Sequence, residues 1–123
     1  MRIFATLLAL LLALCAPATR AQPALLDEGT EQLNLAPHLQ YTVDPEGRAD
    51  AAAMLARVGR GEFTPLPDGN STLGFSDGAH WFHAELFNTR GNLQRWLLVL
   101  HYPLLDHVDV YLRYPDGRIE HFA

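Results

Sequence analysis

Residues 78–87 read Gly-Ala-His-Trp-Phe-His-Ala-Glu-Leu-Phe, GAHWFHAELF. Two histidines three apart, with a carboxylate two residues on, would sit together on a helix and apart on a strand. The choice decides the local fold and whether a metal site begins here. Gly78 and Asn88 bound the run, and its aromatic content favours a strand. Successive strand side chains point to opposite faces, so His80 and His83 cannot chelate one ion from a regular strand. His38, His101, His107 and His121 add no His-x-His pair and no cysteine partner. Neither a metal nor another cofactor is expected.

The same alternation sorts the neighbouring segments. In 79–88, Phe82, Ala84 and Leu86 read as a core face, opposite Trp81, His83, Glu85 and Phe87. In 94–102, Trp96, Leu98, Leu100 and Tyr102 oppose Arg95, Leu97, Val99 and His101. In 107–114, Val108, Val110 and Leu112 oppose His107, Asp109, Tyr111 and Arg113. Laid side by side, two of these second faces would form a wall of Trp81, His83, Glu85, Asp109, Tyr111 and Arg113. Aromatic rings with hydrogen-bonding neighbours suit a sugar or another small polar ligand. A plain solvated sheet face has the same composition and is the simpler reading.

A further strand over 118–122 follows Tyr114-Pro115-Asp116-Gly117-Arg118, where proline and aspartate suit a type I turn and glycine the left-handed bulge position. Leu33–Leu35 and His38–Val43 read as short strands split by Pro37, and Thr72–Phe75 as another. Asp44-Pro45 closes the second of these, as a turn or as a helix cap. Residues 48–58 form the one helix candidate, with Ala51, Met54, Leu55 and Val58 on one face and Gly59 or Gly61 to end it. The class is all-β with one short helix. The loop after the helix holds the glycosylation-type sequon Asn70-Ser71-Thr72 and Asp68-Gly69-Asn70, which reads as a turn rather than a calcium loop.

The first 21 residues carry Arg2, then an apolar run from Ile3 to Leu14, then Pro17 and the small residues Thr19 and Ala21. This is the layout of an exported protein's signal peptide, with cleavage after Ala21 and Ala18 as second choice. Cys15 stands in a poor lipoprotein box, because bulky Leu14 precedes it. Residues 22–32 read as a flexible acidic lead-in and 33–123 as one domain. Without the leader, seven arginines oppose fourteen acidic residues, a net charge of about −7, and the chain has no lysine. No basic stripe is available to displace counterions, so nucleic acid is excluded as a partner. Catalysis is not expected: Ser71 and Ser76 lie in turn-rich sequence, no Gly-x-Ser-x-Gly occurs, and no phosphate-cradling glycine loop is present.

The order LAPHLQYTVDPEG, a short helix, FTPL, LGFSDGAHWFHAELFN, QRWLLVLHYPLLDHVDVYL and PDG resembles one family. It is the second type of extracellular domain at the N-terminus of seven-transmembrane receptors with diverse intracellular signalling modules. The resemblance covers nearly all of 33–123 and rests on Tyr41, Asp44-Pro45, Leu73-Gly74-Phe75, Trp81, Asn88, Arg95-Trp96-Leu97-Leu98, Tyr102-Pro103, Leu105-Asp106, Val108-Asp109 and Tyr111-Leu112.

It implies a periplasmic, antiparallel jelly-roll β-sandwich resembling carbohydrate-binding modules. It also implies a non-catalytic sensor of small molecules, with carbohydrate one candidate ligand, placed ahead of membrane helices and an output module. Ligand contact would shift the domain's orientation or its pairing as a homodimer. In this family an arginine often stands two residues after the strand tryptophan. Here that position is His83, which would grip an anion only when protonated, near or below about pH 6.5. A jelly roll has about eight strands, against six or seven counted here, so the domain is expected to be incomplete at its C-terminal end. A secreted β-sandwich that binds protein is the alternative, and a jelly-roll glycan hydrolase or lyase the third.

Overall fold

The computed structural model describes residues 21–66, 77–89, 95–101 and 105–123. The chain divides into two compact units, Met1–Thr89 and Arg90–Ala123. The described residues are mostly β with one short helix, as expected.

In the first unit, β1 (Ala24–Leu26), β2 (Gln40–Asp44), α1 (Ala51–Gly59), β3 (Thr64–Pro65), β4 (Ala79–His83) and β5 (Leu86–Asn88) follow in order, with a 3-10 turn at Ala36–His38. β2 lies between β3 and β4, antiparallel to both, and Thr42 stands opposite Trp81. The turn at Asp44-Pro45 takes the first of its two expected roles. Asp44 Oδ2 accepts the Ala49 amide at 2.8 Å, and that bond holds its carboxyl below the usual carboxylate range.

α1 starts one turn later, where Asp50 Oδ1 accepts the Ala53 amide at 2.8 Å, an N-cap of the kind that contributes about 1 kcal/mol. Its end is a Schellman motif: the Gly61 amide donates to Val58 O and the Glu62 amide to Arg57 O. Glu62 then accepts from both Arg57 and Arg60 through its carboxylate, locking the C-terminal turn. Met54, on the expected apolar face, is 3 % exposed. With Ala24, Leu26, Phe63 and Leu66 it makes the buried apolar core of the described residues.

Three expectations for this unit are corrected. Leu33–Leu35, read as a short strand, forms no ladder and leads straight into the 3-10 turn. The segment 22–32, read as flexible, contains β1, which pairs parallel with β5. The Ala24 amide donates to Glu85 O at 2.8 Å and the Thr89 amide to Leu26 O at 2.9 Å, and Ala24 is fully buried. A wholly antiparallel arrangement therefore does not hold. The strand expected over 79–88 is also two strands. The chain leaves the β2 ladder after His83, and Leu86 belongs to the β1 pairing. Phe82 and Leu86, read as core, are 44 % and 48 % exposed.

In the second unit, β6 (Val110–Arg113) and β7 (Ile119–Phe122) form the expected hairpin. The Gly117 amide donates to Tyr114 O and the Tyr114 amide to Arg118 O, both at 2.9 Å, and Gly117 has φ of 90°. Asp116 Oδ1 accepts the Arg118 amide, which closes the turn. Of the strand expected over 94–102, the described residues 95–101 form no ladder. Alternation marks a chain able to pair, and pairing needs a neighbouring strand. Leu97 is 86 % exposed, with Leu98, Val99 and Leu100 each more than half exposed. The expected leader, strand 72–75, the sequon and the Asp68 turn lie outside the described residues.

Candidate functional site

The six residues singled out from the sequence fall three in each unit. On β4, Trp81 and His83 share the face that also carries Thr42 and Gln40 of β2. Helix α1 reaches this face, where Arg57 Nη2 donates to Thr42 Oγ1 at 3.0 Å. Phe63 meets the His83 ring edge-on, with centroids 6.2 Å apart. Trp81 and His83 are accordingly half-buried, and Glu85 is exposed in the link to β5.

Burial pushes the His83 imidazole below its ordinary value of 6.5, and the nearby Glu85 charge offsets part of that fall. The folded protein thus binds the His83 proton less readily than the unfolded chain. His83's contribution to stability is complete above about pH 6.5 and is lost as pH falls through the lowered folded value. Denaturant titrations from pH 7.5 to 5 should show stability falling with pH, and a His83→Gln variant should lose part of that slope. An unchanged slope in the variant would contradict the assignment.

On the hairpin, Asp109, Tyr111 and Arg113 alternate onto one face, and the antiparallel register adds His121 opposite Tyr111 and Ile119 opposite Arg113. The Tyr111 and His121 rings stack with centroids 4.4 Å apart and planes 9° apart. Asp109 receives His121 on Oδ1 and His107 on Oδ2, each at 2.6 Å from Nε2. These contacts, His121 first, hold the Asp109 carboxyl below the usual carboxylate range. At the turn, Arg118 lies 4.1 Å over the Tyr114 ring and pairs with Glu120, whose other oxygen accepts the Tyr114 hydroxyl and pushes that phenol up.

His121 escaped the sequence reading, and the signal for it was available. Counting back along both strands from the Tyr114–Arg118 closure sets Tyr111 against His121. Among the described residues no group of three His, Cys, Asp or Glu side chains is arranged to hold a metal ion. No described helix is long and apolar enough to cross a membrane.

Together these observations define a small acidic β-rich module whose hairpin presents a polar and aromatic face. The model of the family 7TMR-DISM extracellular 2 matches residues 36–123, and the chain belongs to that family. The family is the extracellular sensory part of seven-transmembrane receptors and is generally non-catalytic. Comparison with curated proteins and with solved structures returns no match.

Proposed function

We propose that the chain is the periplasmic, non-catalytic input module of a membrane-bound receptor and that it binds a small polar ligand, with carbohydrate the first class to test. The observation that carries this reading is the hairpin face, in a chain of a sensory family. Asp109 and Arg113 offer an acceptor and a donor on either side of the Tyr111–His121 stack. Hydrogen-bonding side chains beside aromatic rings match the hydroxyl-rich edges and apolar faces of a sugar ring. Trp81, His83 and Glu85 are proposed as a second set of contacts. Half-burial of the first two leaves Glu85 the more accessible. The jelly-roll form likewise belongs to this proposal, resting on the resemblance of 33–123.

Thermal melting of the chain against a panel of neutral mono- and disaccharides tests the reading. At a concentration of 100 times Kd a true ligand stabilises by about 2.7 kcal/mol, and the gain should vanish in Arg113→Ala. A panel without any shift, or a shift equally large in the variant, would overturn the carbohydrate reading.

A second reading, a module that binds protein, is favoured by the exposed apolar run Trp96–Leu100. Sedimentation that depends on chain concentration, with no response to small molecules, would support it over the first.

A further inference from the structure

His107, Asp109 and His121 form a three-residue cluster on the hairpin, and two of them, Asp109 and His121, also lie on the proposed ligand face. Exposed ion pairs are individually weak and easily screened. The arrangement at Asp109 differs in that both carboxylate oxygens are engaged, each by a separate imidazole at 2.6 Å. His107 and Asp109 are two residues apart in the segment that leads into β6, and their side chains meet there. His121 comes from β7, and its ring plane is set by stacking on Tyr111. The carboxylate therefore ties the lead-in segment, through one histidine, and the opposite strand, through the other, to a single point.

We propose that His107, Asp109 and His121 form a proton-operated clasp that tightens on acidification and fastens residues 107–109 to β7. A neutral imidazole presents an N–H at Nε2 in only one of its two tautomers, whereas the imidazolium always presents both. Protonation thus turns two conditional contacts into two charge-assisted ones, which are shorter and roughly twice as strong as neutral bonds. Histidine is the side chain whose charge ordinarily changes between pH 5 and 8.

The other charged groups of the unit set the balance. Asp106, next to His107 in the chain, favours the cations, and Arg113, further along the same face of β6, opposes them. Tyr111 faces His121 as a stacked ring. Glu120 lies on the other face of β7, already engaged by Tyr114 and Arg118. The carboxylate stays ionised through the mildly acidic range, because its own proton affinity is lowered from the ordinary 3.8. The acceptor side of the clasp therefore survives mild acidification.

This inference goes beyond the ligand reading and needs no ligand, so its failure would leave that reading standing. Backbone amide order parameters of His107 and Val108 in the full chain, measured at pH 8 and pH 5, provide the test. They should rise from about 0.6 toward about 0.85 on acidification. Asp109→Asn should abolish the rise while the β6–β7 ladder persists. The double variant His107→Gln, His121→Gln should abolish it without touching the carboxylate, which covers the case in which Asp109→Asn disturbs the hairpin. Equal order at the two pH values in the native chain, or a native response in either variant with an intact ladder, would overturn the proposal.

Discussion

A Gly78→Ala variant should lose about 3 kcal/mol of folding stability, through backbone strain and local overpacking together. Gly78 precedes β4 with φ of 131°, a conformation that residues with a Cβ rarely adopt. An added Cβ would lie 2.6 Å from the Asp44 carbonyl oxygen and 3.0 Å from Pro45 Cα. Both are backbone atoms of the turn that closes β2, so neither can swing aside as a side-chain tip would. The β2–β4 register would have to slip or open at its Asp44–Ala79 end. Gly117→Ala is the internal control: φ is again positive, at 90°, but nothing lies within 4 Å of the added atom. That variant should cost only about 1 kcal/mol. Urea titration of both checks the pair, and equal losses would show that the close approach at Asp44 is not what requires glycine at 78.

Phe63→Ala should cost about 3 to 5 kcal/mol, the usual loss for a buried aromatic ring. Phe63 is 6 % exposed and is the largest of the five apolar side chains buried among the described residues. It also shields the His83 ring from one side. The denaturation midpoint should fall sharply, and the His83-dependent slope with pH should flatten as the imidazole gains solvent. A stability within about 1 kcal/mol of the native value would mean that the ring is not held in a packed core.

Much of the second unit was legible in the sequence because its information is local. Pro115, Asp116 and Gly117 specify a turn type, the turn sets the strand register, and the register sets which side chains share a face. The helix was legible for the same reason: Met54 is buried where the apolar spacing placed it, and Gly61 ends the helix. Its true cap at Asp50 was overlooked because Asp44-Pro45 offered an equally good cap sequence, which the chain spends on a turn instead.

β1 was illegible because its partner is about 60 residues away and three apolar residues in an acidic segment carry no periodicity. The face assignment of Phe82 and Leu86 failed where the ladder ends at His83. Parity carries no information across a break between strands. The segment 95–101 shows the converse, a strand-like pattern with no ladder among the described residues. For the candidate site, the turn made Tyr111 and Arg113 readable as neighbours on one face. The bridging of Asp109 by two histidines depends on side-chain rotamers that no spacing rule supplies.

The central claim is that ligand contact occurs on the polar and aromatic sheet faces, and residue-resolved chemical-shift mapping tests it most directly. The chain would be titrated with whichever saccharide of the panel gives the largest thermal shift. Saturable shifts should concentrate at Asp109, Tyr111, Arg113 and His121, with a second set at Trp81, His83 and Glu85. Shifts confined to the exposed run Trp96–Leu100, or scattered and unsaturable across the chain, would contradict it.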